Sequence, residues 1–186
     1  MLKEMLKEIL SPKLNEEVMA AVLVPILNCR EPKILMIKRG ENLTRNAGHV
    51  AFPGGMREEG EEVVETALRE VEEELGVERR KIEILGFLKA REVREYKIPL
   101  CPIVGITDEK DFRPDKREVS KILIDRLEKV LKSRRVTDWG ANFACSGELV
   151  WGASSRVLED LYMRIVFKYG SIDDFFKKLR GSYGSK

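Results

Sequence analysis

The sequence feature that most constrains the fold is a glutamate-rich segment from Gly55 to Val77, GMREEGEEVVETALREVEEELGV. Apolar residues recur in it at intervals of four, three and four residues: Val64, Leu68, Val71 and Leu75. This spacing predicts a helix over residues 60–76 with one apolar face. Gly76 is the expected C-terminal cap, because glycine readily adopts the left-handed conformation that ends many helices.

Three glutamates share one arc of this predicted helix. At about 100° per residue, Glu74 lies about 40° to one side of Glu70, and Glu73 lies about 60° to the other side. The arc borders the apolar stripe, so Glu70 and Glu74 are expected at the edge of the buried face. Clustered carboxylates repel one another, and a hard divalent cation such as Mg²⁺ reverses that repulsion. The alternative is a solvated acidic face, because 35% of the residues are charged.

The rest of the chain predicts a mixed α/β sheet with helices on both faces. Strands are expected at 17–27, 33–39, 82–90, 98–107, 118–124 and 148–151, the first two forming a hairpin. Further helices are expected at 1–10, 125–132, 154–168 and 171–179. We expect a single domain over residues 1–180 and a disordered tail over residues 181–186.

Composition limits the possible function classes. The 186 residues are 43% hydrophobic with a net charge of +2, which favours one globular domain and argues against a nucleic-acid-binding coat. No apolar run approaches the length of a membrane span. The first ten residues, MLKEMLKEIL, lack the uninterrupted apolar stretch of a signal peptide, so a cytoplasmic location without membrane association is expected.

The glutamate-rich segment resembles the Nudix box. That pattern is G, five residues, E, seven residues, then R-E-apolar-x-E-E-x-G-apolar. All of its defined positions are matched here, by Gly55, Glu61, Arg69, Glu70, Val71, Glu73, Glu74, Gly76 and Val77. The resemblance implies an α/β/α sandwich and hydrolysis of a nucleoside diphosphate linked to another group. Glu61 is expected to be a structural partner near the start of the helix.

The resemblance also implies roles for the individual residues. Glu70 and Glu74 would be the principal ligands of Mg²⁺ or Mn²⁺. Glu73 would be a further ligand or the group that orients or deprotonates water, and Arg69 would hold it in place. Gly55 would allow the backbone to approach the metal, with its carbonyl as a possible ligand. The predicted catalytic residues are thus Glu73, Arg69 and Glu70.

Residues 33–55, KILMIKRGENLTRNAGHVAFPGG, resemble the additional signature of the coenzyme A pyrophosphatase branch. The sequence departs from that signature at Gly40, at Thr44 with Arg45 one place late, and at Asn46. The resemblance implies cleavage of coenzyme A or its derivatives to 3′,5′-ADP and 4′-phosphopantetheine. ADP-ribose, an oxidised nucleoside triphosphate or a dinucleoside polyphosphate are the alternative substrates, and a non-catalytic nucleotide-binding module is the alternative class.

Coenzyme A carries a 3′-phosphate and a diphosphate, which require cationic partners. Arg39 and Arg45 are the first candidates for substrate binding and Lys89 and Arg91 the next, with ordinary surface cations as the alternative. A homodimer is also plausible.

Residues 150–158, VWGASSRVL, resemble the segment that opens the late helix of the same branch. Ser154 or Ser155 is a candidate helix cap there. Trp151 is expected in the core rather than as a base-stacking platform, and His49 is expected to be packed rather than catalytic. Glu148 is a candidate for a second water-activating carboxylate.

Overall fold

The computed structural model describes residues 1–93 and 97–182 and contains a mixed sheet with helices against both faces. The helices, α1 to α5 in chain order, are Leu2–Lys7, Val63–Leu75, Leu127–Lys132, Gly152–Tyr169 and Ile172–Gly181. The strands, β1 to β11 in chain order, are Ala20–Leu27, Lys33–Arg39, Val50–Ala51, Gly54–Met56, Ile82–Phe87, Arg91–Val93, Ile98–Thr107, Val119–Arg126, Arg135–Thr137, Gly140–Cys145 and Glu148–Val150. The expected α/β/α architecture is confirmed.

Strand β1 organises the main sheet. It runs parallel to β7 along its whole length, from Ala20 opposite Leu100 to Leu27 opposite Thr107. The other pairings in this sheet are antiparallel, in the order β3-β2-β1-β7-β5, with β4 beside β1, β6 beside β7 and β8 beside β2. The expected hairpin between β1 and β2 is present, with Ile26 opposite Ile34.

Alternating side chains of β1 and β2 supply two separate hydrophobic cores. Leu23 and Leu35 pack with α2 in one core. Val24 and Ile34 pack in the other, which also contains buried residues of α1, α3, α4 and α5. This division follows from the two-residue period of a strand, which sends successive side chains to opposite faces.

Helix α2 has clear start and stop signals. At its beginning, the Glu62 backbone N–H donates to the Glu65 side chain at 2.8 Å. At its end, Gly76 adopts the left-handed conformation with φ 68°, as expected. Of the predicted apolar stripe, Val71 and Leu75 are buried, whereas Val64 and Leu68 are only partly buried. Thr66 and Ala67 are fully buried instead, so the buried face of α2 is rotated relative to the predicted stripe in its N-terminal half.

A second sheet was not predicted. Strands β9, β10 and β11 form an antiparallel sheet of three strands, joined by a tight turn between Thr137 and Gly140. Strand β10 has a weak sequence signal, because its sequence GANFAC contains few residues that favour strands. Its alternation is nevertheless visible at Phe143 and Cys145, which are both buried. The short strand β6 was also missed.

The C-terminal helix extends to Gly181, one residue beyond the predicted domain limit. The remainder of the predicted tail, residues 183–186, lies outside the described residues. No helix in the described ranges combines the length and the apolar character needed to cross a membrane.

Candidate active site

The backbone of Gly54 and Gly55, at the start of β4, lies against two carboxylates of α2. The Gly54 backbone N–H donates to Glu74 Oε2 at 3.0 Å. A Cβ atom at Gly55 would overlap the Glu70 carboxylate, and one at Gly54 would overlap the carbonyl oxygen of Ala21. Both positions therefore favour glycine: a side chain at Gly55 would displace the Glu70 carboxylate, and one at Gly54 would strike the backbone of β1. Gly55 thus lies directly against the Glu70 carboxylate, and its approach to a metal ion stays a prediction.

Glu74 is more deeply buried than the helical arc predicted. Its residue surface is only 1% exposed, so it belongs to the buried face rather than to its edge. Burial raises the pKa of Glu74 to about 8, although the hydrogen bond from Gly54 opposes the rise, and the neighbouring Glu70 charge adds to it. Arg39 Nη1 lies 3.8 Å from Glu74 Oε1, which is beyond hydrogen-bonding distance. Within the described residues, Glu74 therefore has an ion pair with Arg39 but accepts no hydrogen bond from a cation, and the Arg39 charge also opposes the rise in its pKa.

Glu70 is less deeply buried than Glu74 and has a hydrogen-bonded cation beside it. Its side chain is 14% exposed and accepts a hydrogen bond from Arg69 Nη1 at 2.7 Å. Burial raises the pKa of Glu70 above its usual value even though the Arg69 charge opposes the rise. The charges of Glu73 and Glu118 also raise it. Glu70 therefore lies among other acids and shares its one cationic neighbour with them.

Arg69 is the centre of an ion-pair network at the start of α2. Its Nε donates to Glu61 Oε1 at 2.7 Å, and its Nη2 donates to the carbonyl oxygen of Met56 at 3.0 Å. The predicted contact with Glu73 is present at 3.2 Å. The Arg69 hydrogen bond holds the pKa of Glu61 at about 2, with further help from Thr66. Glu61 is thus a structural partner, as predicted, and its charge is already neutralised.

Oxygen donors available for a metal ion lie on Glu70 and Glu74, with the Gly54–Gly55 backbone beside them. Glu73 is more distant from the core, and its side chain is 57% exposed. Among residues 1–93 and 97–182, no three His, Cys, Asp or Glu side chains are already arranged around a common point. Two neighbouring acids with raised pKa values nonetheless fit a hard divalent cation, which prefers carboxylate oxygens and shares them with phosphate groups.

The two candidate substrate-binding arginines have different positions. Arg39 lines a cavity beside Gly54 and Gly55, and its Nε atom is buried without a hydrogen-bond partner in the described residues. Arg45 is exposed and does not line that cavity, whereas its neighbour Asn46 does. Of the other two candidates, Lys89 is exposed, and Arg91 lies 3.7 Å from Asp160.

Two departures from the coenzyme A signature have local structural reasons. Asn46 adopts a positive φ of 52°, a conformation that asparagine tolerates better than most residues. A Cβ at Gly40 would lie 3.0 Å from the carbonyl oxygen of Arg117, which is closer than most side chains allow. Both residues thus fit the path of the loop that follows β2.

The cavity has a volume of about 770 Å³ and extends from Gly54 and Gly55 to the start of α4 and the β9–β10 turn. Trp151 is 50% exposed in its wall, so the expectation that it belongs to the core is wrong. His49 packs against it, with ring centroids 4.7 Å apart. The expected serine cap is also wrong: Trp151 occupies the cap position, and the Ser155 hydroxyl donates to the carbonyl of Gly152.

Two further acids near the site lie outside the glutamate-rich segment Gly55 to Val77. Glu148, the candidate second base, lies 3.3 Å from Lys38 and 3.9 Å from Lys121. Glu118 was missed, although its charge raises the pKa of both Glu70 and Glu74. It directly precedes Val119, which pairs with Arg39 across the β2–β8 ladder. No sequence signal distinguishes Glu118 from the other surface acids, because only strand pairing brings it to this place.

Comparisons with known proteins agree with this geometry. The NUDIX domain family model matches residues 17–140. The Nudix hydrolase NudL of Escherichia coli O1:K1 is 30% identical, over 87% of this chain and 92% of the relative. NudL of Pectobacterium atrosepticum is 28% identical, over 81% and 84% respectively. The chain belongs to the Nudix family, and it is a pyrophosphohydrolase.

Solved structures agree on the fold. A MutT/nudix family protein from Enterococcus faecalis superposes with a TM-score of 0.55 at 15% identity, over 84% of this chain and 65% of that protein. The NUDIX domain of Shewanella oneidensis NrtR, solved in complex with ADP ribose, gives a TM-score of 0.54 at 16% identity. The match covers 82% of this chain and 90% of that domain.

Proposed function

We propose that this protein hydrolyses the diphosphate of coenzyme A or its derivatives, yielding 3′,5′-ADP and 4′-phosphopantetheine, with Mg²⁺ or Mn²⁺ as cofactor. The observation that carries the proposal is the buried carboxyl of Glu74, which lies beside Glu70 and the Gly54–Gly55 backbone and, within the described residues, accepts no hydrogen bond from a cation. The Gly54–Gly55 backbone, against which both carboxylates lie, lines a cavity of suitable size for a small organic ligand.

Glu70 and Glu74 would hold the ion. When bound, it would supply positive charge against the diphosphate oxygens and acidify water near phosphorus. The Gly54 N–H orients the Glu74 carboxylate by its hydrogen bond to Oε2. Glu73, which is 57% exposed, would accept the proton of the attacking water or orient that water.

Three arginines of the chain would supply positive charge. Arg69 fixes the orientation of Glu70 and Glu73 through its Nη1 atom. Arg39, which lines the cavity, would bind a diphosphate oxygen, because its buried Nε atom lacks a partner in the described residues. Arg45 would contribute from the exposed loop, where a 3′-phosphate could reach it from outside the cavity.

The branch resemblance selects coenzyme A from the possible substrates. The loop from Arg39 to Gly55 carries that resemblance, and two of its departures are explained by local backbone geometry rather than by a different ligand. We further propose a single catalytic domain over residues 1–180 and a cytoplasmic location, with a homodimer as a possible assembly.

A substrate panel tests the proposal. Purified protein would be incubated with coenzyme A, ADP-ribose, an oxidised nucleoside triphosphate and a dinucleoside polyphosphate, each with Mg²⁺ or Mn²⁺. Chromatography of the products should show 3′,5′-ADP and 4′-phosphopantetheine as the fastest-formed pair. If coenzyme A is cleaved far more slowly than another substrate, the assignment to coenzyme A is wrong.

The two arginines provide a second test. Arg39→Met should raise KM for coenzyme A about tenfold or more, because a charge-assisted contact to the diphosphate is lost. Arg45→Met should have a smaller effect that disappears with dephospho-coenzyme A, which lacks the 3′-phosphate. Equal effects of Arg45→Met on both substrates would contradict the role proposed for Arg45.

A further inference from the structure

The chain contains two tryptophans, Trp139 and Trp151, and both line the cavity beside the carboxylates. Trp139 lies in the β9–β10 turn and is 94% exposed, and Trp151 is 50% exposed at the start of α4. A ligand that covers two exposed indoles removes much apolar surface from water, which favours its binding. Their common location therefore marks a binding surface for a ligand with its own apolar or aromatic surface.

Trp151 has the geometry of a braced aromatic platform. The His49 ring lies 4.7 Å from it, centroid to centroid, with an interplanar angle of 57°. This contact restricts rotation of the indole, while half of the residue surface stays accessible to the cavity. A planar ligand could stack on the accessible part without first immobilising the tryptophan.

Hydrogen-bonding groups beside the two indoles fit a ligand that is both flat and polar at its edge. Asn46 and Asn142 both line the cavity, and a primary amide offers a donor and an acceptor together. The edge of a nucleobase also presents donors and acceptors, and its flat ring can stack on an indole, which the amide-containing but non-planar pantetheine arm does less well. Arg39, Gly54 and Gly55 line the same cavity, so a nucleotide with its base at Trp151 has cavity space for its phosphates beside the carboxylates.

We propose that Trp151, braced by His49, is the stacking platform for the nucleobase of the substrate, and that Trp139 covers the base from the β9–β10 turn. This inference rests on the proposed function only in requiring a nucleotide substrate, and it holds for each member of the substrate panel. Loss of base stacking on an aromatic side chain weakens binding about 10- to 100-fold.

Tryptophan fluorescence tests the proposal directly, because both indoles of the chain are in the cavity. Two single-tryptophan proteins, W139F and W151F, would be titrated in EDTA with ADP, with ribose 5-phosphate and with 4′-phosphopantetheine. ADP should change the emission of Trp151 saturably, and the two ligands without a base should not. If 4′-phosphopantetheine changes the emission and ADP does not, the cavity holds the other half of the substrate and the proposal is wrong.

Substitution of the platform gives a second measurement. Trp151→Leu should weaken ADP binding in EDTA about 10- to 100-fold, and Trp151→Phe should retain a large part of the affinity. Calorimetry would measure both, and thermal melting would check that the variants fold. Phe167→Leu is the matched control, because Phe167 is 94% exposed on α4 and does not line the cavity. Its ADP affinity should equal that of the wild type.

The outcomes separate this proposal from the choice of substrate. If coenzyme A is not cleaved but ADP still binds at Trp151, the substrate assignment is wrong and the base platform stands. If coenzyme A is cleaved and Trp151→Leu binds ADP as tightly as Trp151→Phe does, the platform is wrong and the substrate assignment stands.

Discussion

Glu61 and Glu74 belong to one motif and have opposite electrostatic environments. Glu61 accepts hydrogen bonds from Arg69, from the Thr66 hydroxyl and from the Glu58 backbone N–H. Glu74 accepts one from the Gly54 backbone N–H, and the nearest Arg39 nitrogen is 3.8 Å away. The pKa of Glu61 is lowered to about 2, whereas that of Glu74 is raised to about 8.

The difference shows which carboxylates are available for a metal ion. A carboxylate whose two oxygens already accept several hydrogen bonds, as those of Glu61 do, gains little from a second cation, because few of its lone pairs are free. A buried carboxylate such as Glu74, with one hydrogen bond and a cation at 3.8 Å, gains more, because its ionisation is costly until a cation binds it directly. Arg69 donates through its Nε atom to Glu61 and through its Nη1 atom to Glu70 and Glu73.

Removal of the Glu74 charge is expected to have the largest effect. Glu74→Gln should lower kcat at least about 100-fold, the scale on which single electrostatic stabilisers act. The glutamine carbonyl can still accept the Gly54 hydrogen bond, so metal-free thermal stability at pH 7 should not fall. Glu72→Gln, on the exposed side of α2, is the control and should retain full activity. An unchanged rate in Glu74→Gln would refute the mechanism.

Arg69→Met tests the contribution of the hydrogen-bonded acid, Glu61, to stability. It removes the cation from Glu61 and Glu70 and should lower the free energy of unfolding by about 3 kcal/mol, as for other largely buried pairs that lose one partner. Denaturant titration would measure the loss. The control is Arg79→Met, whose half-exposed pair with Glu72 should contribute at most about 1 kcal/mol. Equal losses in the two variants would show that Arg69 is an ordinary surface residue.

The pH dependence of stability should distinguish Glu74 from the other acids. Its pKa is about 8 in the folded state against a usual value of 4.5, so the folded protein retains a proton that the unfolded chain releases. This contribution to stability is complete below pH 4.5 and is lost as the pH rises through 8. Thermal midpoints measured in EDTA should therefore fall over this interval more steeply for the wild type than for Glu74→Gln. Parallel curves would exclude Glu74 as the cause.

Glu148→Gln is expected to have the smallest effect. Glu148 is partly exposed and accepts a hydrogen bond from Lys38, so it resembles Glu61 more than the buried Glu74 in having a hydrogen-bonded cation. Loss of a partly exposed pair of this kind should change kcat less than about threefold. Steady-state kinetics would measure this, and a loss near 100-fold would instead identify Glu148 as the water-activating base.

The most predictable parts of the fold were those with strong local signals. Strand limits at 33–39 and 98–107 were predicted to the residue, because each is a continuous apolar run between turns. The three-stranded sheet was missed because β9 is exposed throughout and β10 begins with Gly140 and Ala141, which have little preference for strands. That sheet supplies Trp139 to the cavity wall, so part of the candidate binding surface was missed with it.

The sequence alone determined the helix that carries the acids, its glycine cap and the family to which the chain belongs, because helical period and motif spacing are local properties of the chain. Only the tertiary structure separated the acids from one another. The environment of each acid depends on its neighbours. Glu61 is paired with Arg69, Glu70 lies against the glycine pair, and the charge of Glu118 acts on Glu74. The burial of a side chain and the charge around it depend partly on neighbours that are distant in sequence. The helical arc therefore predicted Glu74 at the edge of the buried face, whereas packing buries it.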